Sequence, residues 1–135
     1  MEKNESRVTE AVERKRSGKY NCAQAVACTY CDLAGVDEET MRNMGNAFGT
    51  GMGSMDGTCG ALVGAGMVLG MLRKDRVASM RGMKGIVENF RKCNGSVVCR
   101  ELKGIGTGVP LRGCNDCVAD ASRFLEDAIG LHAGE

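Results

Sequence analysis

The stretch GTGMGSMDGTCGALVGAGMVLG, residues 49–70, decides the fold, because a glycine-dense loop runs there into an apolar segment that opens with Cys59. Eight of the chain's 20 glycines lie in it. Without a Cβ, the residues before Asp56 can take φ > 0, and the segment after it can press closely on a neighbouring helix. Asp56 or Thr58 is a suitable cap for that segment. At about 100° per residue, a helix puts Cys59, Val63, Gly66 and Gly70 on one stripe and Gly60, Gly64, Met67 and Met71 on the next. Each glycine costs such a helix roughly 0.8–1 kcal/mol relative to alanine. Tight helix packing that holds the Cys59 sulfur in place is the compensation we expect.

The chain of 135 residues suits one domain spanning residues 1–135. Tryptophan is absent, and two tyrosines and three phenylalanines are the only aromatics. The core must then be built from Ala, Val, Leu, Met and Cys, which suit helix-on-helix packing better than a β-sandwich. A net charge of +1 with both signs interspersed leaves no groove for nucleic acid and no polybasic membrane patch. The apolar run over 59–72 is too short for a bilayer, which takes about 20 residues, so no membrane insertion is expected. The polar opening MEKNESRVTE carries no secretory signal, which predicts a cytoplasmic protein.

Working outward, residues 5–16 carry Val8, Ala11 and Val12 among charges, the pattern of a covering helix without chemistry that ends at Ser17-Gly18. Residues 22–34, capped by Asn21 and charged only at Asp32, predict a helix buried nearly all round. Its phase separates Cys22 from Cys28 and Cys31, so the two sets of thiols do not share a site. A third helix starts at Asp37 or Glu38 and presents Met41, Met44, Ala47 and Phe48. Beyond the glycine loop and the Cys59 helix, residues 75–92 place Met80, Met83, Val87 and Phe90 on a core-facing side. Cys93-Asn94-Gly95-Ser96 reads as a turn and 99–103 as a short helical turn. Residues 104–113 read as an irregular loop, with a hidden strand over 104–111 the lesser alternative. The last helix starts at Cys114 and shows Cys114, Cys117, Val118, Ala121, Leu125 and Ala128 on one face; the tail beyond Gly130, with His132, reads as frayed. The expected fold is all-α, five to six helices with a glycine-rich loop.

Eight cysteines are the outlying number. In a reducing compartment disulfides seldom persist, so this many thiols points to metal, cluster or redox chemistry. Gly49-Thr50-Gly51-Met52-Gly53 has the look of a phosphate loop, but a helix leads into it, the third glycine is misplaced and no GK[ST] follows. Cys28-x-x-Cys31 and Cys114-x-x-Cys117 have the pair spacing of a zinc site, yet both fall within helices and lie far apart. No Ser/His/Asp set and no paired carboxylates suggest hydrolysis, and His132 is the only histidine. More telling, Cys22, Cys59, Cys99 and Cys114 each open a helical segment, where the helix dipole favours a thiolate. Four such sulfurs meeting at one point can ligate a [2Fe–2S] cluster or work as exchanging dithiol pairs.

A series of short motifs then becomes specific: Asn21-Cys22-Ala23-Gln24-Ala25-Val26; Cys59-Gly60-Ala61-Leu62-Val63-Gly64; Asn94-Gly95-Ser96 with Cys99-Arg100-Glu101-Leu102-Lys103-Gly104; and Cys114 with Val118 and Asp120-Ala121. In this order, from about residue 20 to 127, they resemble the C_GCAxxG_C_C family of redox-active proteins. The chain reads Cys59-Gly60-Ala61 where the family label is written GCA. The resemblance implies a small bacterial or archaeal cytoplasmic protein whose four characteristic cysteines are Cys22, Cys59, Cys99 and Cys114, with Cys117 able to substitute for Cys114. Similar sequence in the cluster-binding part of split-Soret cytochromes adds weight to iron–sulfur ligation. The expected function is electron transfer or thiol/disulfide redox through these four cysteines, with a [2Fe–2S] cluster as the candidate cofactor and a redox protein as partner. Gly51, Gly53, Gly57 and Gly60 would offer backbone N–H groups beside the sulfurs. The rival from another class is a non-enzymatic adaptor, zinc-stabilised or simply cysteine-rich, forming a homodimer through the Cys28/Cys31 face.

Overall fold

Asn21 starts the central helix with a reciprocal cap: its side chain accepts the Gln24 N–H while the Gln24 side chain accepts the Asn21 N–H, each at 2.8 Å. In the computed structural model, which describes residues 5–131, this helix is α2 (Cys22–Thr29), and every one of its eight residues is buried. Around it stand α1 (Val8–Arg16), α3 (Cys31–Ala34), α4 (Glu38–Met44), α5 (Gly60–Arg73), α6 (Arg76–Asn94), α7 (Cys99–Lys103) and α8 (Cys114–Ile129). The fold is all-α, as expected. No strand occurs among the described residues; one isolated antiparallel bridge joins Thr58 to Val98, and 104–113 is irregular loop.

The expected helix over 22–34 is broken at Tyr30, which sits at φ −112° between α2 and α3. The cause is tertiary, for Tyr30 is fully buried and its hydroxyl donates to the Glu126 carboxylate of α8 at 2.5 Å. Glu126 also accepts the Arg7 N–H, so α1, α2 and α8 are tied at one point.

The most extensive helix contact is that of α2 with α5, and glycine sets its closeness. A Cβ on Gly64 would lie 2.4 Å from the Ala23 carbonyl oxygen, and one on Gly60 would lie 2.7 Å from the Phe48 carbonyl oxygen and 3.3 Å from the Cys22 Cβ. The tight packing expected of this helix is therefore real at Gly60 and Gly64. It does not extend along the other stripe: Val63, Gly66 and Gly70 are half-buried, while Ala61, Leu62, Ala65, Val68 and Leu69 fill the core. Nor do Asp56 and Thr58 cap α5. Cys59 is itself the N-cap, Asp56 pairs with Arg100 at 2.8 Å, and Thr58 is held in the bridge to Val98.

On α6 the core face is Ile86, Phe90 and Asn94, with Met83 partly buried against it and Met80 66% exposed. Met83, Ile86, Phe90 and Asn94 follow one another at spacings of three and four; Met80, one turn before Met83, lies beyond the covered part of that face, and Val87 is half-buried at its edge. The expectation for the tail with His132 lies outside the described residues.

Candidate functional site

Cys22 is the first residue of α2, Cys99 of α7 and Cys114 of α8, and Cys59 caps α5. Two stitches gather these ends. In the first, Cys59 N–H donates to the Val97 carbonyl at 2.7 Å and Cys99 N–H to the Gly57 carbonyl at 3.0 Å, fixing Cys59 beside Cys99. Arg100 locks the same junction, since its N–H donates to the Met55 carbonyl and its side chain to Asp56, both at 2.8 Å. In the second, Leu111 and Arg112 N–H groups donate to the Leu102 carbonyl at 2.9 and 3.1 Å, folding 104–113 back so that Cys114 arrives at the same place. Gly60, by lacking a Cβ, lets Cys22 close the group.

The result is one recess lined by Cys22, Cys59, Cys99, Cys114 and Cys117. Its volume is ≈ 70 Å³, room for a few waters and far below the roughly 300–1,000 Å³ of an organic ligand site. Lys15 of α1, Lys103 of α7 and Arg112 of the loop also line it. The first of these corrects the reading of α1 as a cover without chemistry. Arg112 is aimed by buried Asp120, whose two carboxylate oxygens accept its Nε at 3.0 Å and Nη2 at 3.2 Å; Asn94 and Arg123 donate to the same carboxylate at 3.2 and 3.1 Å.

The sulfurs stand in two facing pairs across helices. Cys22 and Cys114 are neighbours that shift each other's ionisation in opposite directions: the Cys22 thiol is pushed up, first by its interaction with Cys114 and then by burial. Cys114 is drawn down to about 6, first by its interaction with Cys22 and then, against the cost of burial, by Lys103 and Lys15. In the second pair the Cys117 thiol donates to the Arg112 carbonyl at 3.9 Å, and its interaction with Cys59 raises Cys117 and lowers Cys59. The N–H groups of Ala61 and Leu62 help lower Cys59, although neither closes a full cap hydrogen bond. Burial raises Cys99, opposed by Lys103 and reinforced by the neighbouring Cys59 and Cys114. Cys114 is half-buried; the other four are buried.

Cys28 and Cys31 lie apart from this group, as their helical phase predicts, in a separate hollow with Arg7, Arg14 and Glu38; burial raises Cys28 to about 11. Cys93 is exposed on α6. Of the loop glycines, Gly51 underlies Cys99, where its missing Cβ would lie 2.5 Å from that of the cysteine. Gly53 and Gly57 give their N–H groups to the Gly49 and Gly51 carbonyls at 2.9 and 3.1 Å, so the loop bonds to itself and the N–H groups facing Cys59 come from the first turn of α5. Lys15, Lys103 and Arg112 carry no local signal in the sequence. Cys117 did, through its i, i+3 relation to Cys114.

The Cys22 proton has a measurable consequence. Cys22→Ala removes the donor, so the midpoint of Cys114 alkylation against pH should move from about 6 toward the ordinary thiol range near about 8.5. Cys22→Ser keeps an O–H in place and should hold the midpoint low; equal midpoints in both variants would show that Cys22 does not set it.

A family model described as "Putative redox-active protein (C_GCAxxG_C_C)" matches residues 20–128. No curated protein and no solved structure matches the chain. No helix among the described residues is long and apolar enough to cross a membrane.

Proposed function

Since the chain belongs to the C_GCAxxG_C_C family of redox-active proteins, we propose that it is a thiol redox carrier in which Cys114 attacks and Cys22 resolves. The observation that carries this reading is the placement of the pair: half-buried Cys114 and buried Cys22 line one recess with Lys15 and Lys103, surroundings that draw Cys114 down and push Cys22 up. The Cys114 thiolate attacks a disulfide of an oxidised partner protein and expels one partner thiolate, giving a mixed disulfide. Cys22 then loses its proton and attacks the Cys114 sulfur, releasing the second partner sulfur. Two electrons pass to the partner, its disulfide becomes two thiols once protonated, and Cys22–Cys114 becomes the disulfide. Lys15 and Lys103 keep Cys114 ionised and serve it again as leaving group when the pair is reduced.

A cluster is the second reading, and Cys99 favours it, because a dithiol pair has no use for a fifth sulfur. Five thiols exceed the four that an iron–sulfur cluster takes, and the neighbouring cations suit an anionic group. Their spacing here is not yet that of a metal site: among the described residues no three or more His, Cys, Asp or Glu side chains stand where they could hold an ion. On this reading Cys22, Cys59, Cys99 and Cys114, or Cys117 in place of Cys114, would hold a [2Fe–2S] group, which supplies one-electron transfer.

Cys99→Ser separates the two. In protein prepared without oxygen, the dithiol reading expects this variant to keep a reversible Cys22–Cys114 disulfide, with no iron or acid-labile sulfide in the parent. Stoichiometric iron and sulfide in the parent, lost in Cys99→Ser, would establish the cluster in its place, and zinc would support the adaptor.

A further inference from the structure

Cys59 and Cys117 are 5% and 2% exposed, so no partner protein reaches them directly. They are nevertheless connected to the sulfur that a partner does reach. Cys114 and Cys117 are one turn apart on the same face of α8, a spacing that sets side chains side by side. Cys22, Cys59, Cys114 and Cys117 line one recess, where Cys22 interacts with Cys114 and Cys59 with Cys117, and Gly60 lets the Cys22 and Cys59 ends of α2 and α5 lie against each other. Of these four lining sulfurs, Cys114 alone is half-open to solvent.

Resting on the thiol reading above, we propose that Cys59 and Cys117 are a second two-electron station, loaded from Cys22–Cys114 by disulfide exchange within the recess. Starting from the Cys22–Cys114 disulfide, the Cys117 sulfur attacks Cys114, the old S–S bond breaks, and Cys22 leaves with the proton that Cys117 gives up. The Cys59 thiolate then attacks the Cys117 sulfur and frees Cys114 as a thiolate. One disulfide has moved from 22–114 to 59–117; two thiols are oxidised, two are regenerated, and no outside oxidant enters. Cys114 is ready for another partner disulfide, so the protein holds four electrons when fully reduced.

The experiment is a time course on the whole protein, fully reduced and mixed with one equivalent of oxidised glutathione, quenched by alkylation. Digestion before Asp116 parts Cys114 from Cys117, so mass spectrometry can assign each disulfide. The Cys22–Cys114 disulfide should appear first and decay into Cys59–Cys117 with no further oxidant. In Cys117→Ser the course should stop at Cys22–Cys114, and in Cys114→Ser oxidation of the inner pair should slow by about tenfold or more. A Cys22–Cys114 disulfide that persists beside reduced Cys59 and Cys117 overturns the relay and leaves the thiol reading intact. Inner-pair oxidation at the parent rate in Cys114→Ser also overturns it, showing a direct route. Failure of Cys22–Cys114 to form in the parent overturns the thiol reading and the relay with it.

Discussion

Replacing Gly64 by alanine is expected to destabilise the protein by about 2 kcal/mol, although alanine is the better helix former by about 1 kcal/mol. The added methyl would stand 2.4 Å from the Ala23 carbonyl oxygen. That atom is main chain in the first turn of a fully buried helix, so it cannot swing aside as a side-chain end would. Relief comes from moving α2 and α5 apart, and overpacking of that kind costs roughly 1–3 kcal/mol, occasionally more. Gly70→Ala is the matched control: nothing lies within 4 Å of its missing Cβ, so propensity acts alone and the variant should gain about 0.5–1 kcal/mol. Urea unfolding of the three proteins measures both. Equal stability of the two variants would mean that the helices are not in contact at Gly64. The same displacement should loosen Cys22 from its neighbours, so Gly64→Ala is also expected to raise the Cys114 alkylation midpoint while Gly70→Ala leaves it alone.

The feature that makes Gly64 matter was visible in the sequence, and so was the burial of α2, because a run with no charge between Asn21 and Thr29 can only be interior. Four cysteines at helix starts were legible for a similar reason. Caps, turns and apolar phase are local, and each of the four follows a turn or loop segment. What the sequence withheld was set by contacts between distant residues. Tyr30 has no helix-breaking neighbour; it ends α2 where its hydroxyl donates a hydrogen bond to Glu126, 96 residues on. Met80 fits an apolar stripe by type, yet the helices packed against α6 face the line through Ile86 and Phe90. In the sequence Cys117 reads as a substitute for Cys114, whereas α8 brings both to the recess, one beside Cys22 and one beside Cys59. Lys15 belongs to a helix read as a cover and Lys103 to a short helical turn; only the fold brings the two to the Cys114 sulfur.

Cys114→Ser is expected to slow alkylation of the site by about a hundredfold at pH 6.5, measured in a Cys93→Ser background because Cys93 is exposed. At that pH an ordinary thiol is about 1% thiolate, whereas Cys114, drawn down to about 6, is mostly ionised. A thiolate of lower pKa is a weaker nucleophile, which returns about tenfold of that advantage. The rest of the difference comes from what remains after the substitution. Cys22, Cys99 and Cys117 are all held up and buried, and Cys59, though lowered, is covered. The parent profile should therefore show a midpoint near about 6, and Cys114→Ser should lose it. Folding follows the same group with a definite sign. Because its pKa is depressed in the folded state, its contribution to stability is complete above the ordinary thiol value of about 8.5 and is lost as the pH falls through about 6. Cys114→Ser should accordingly flatten the dependence of unfolding free energy on pH within that window. A parent profile with its midpoint in the ordinary range would show that Lys15, Lys103 and the Cys22 proton do not stabilise an anion at this sulfur, and the assignment of Cys114 as the attacking thiol would fail with it.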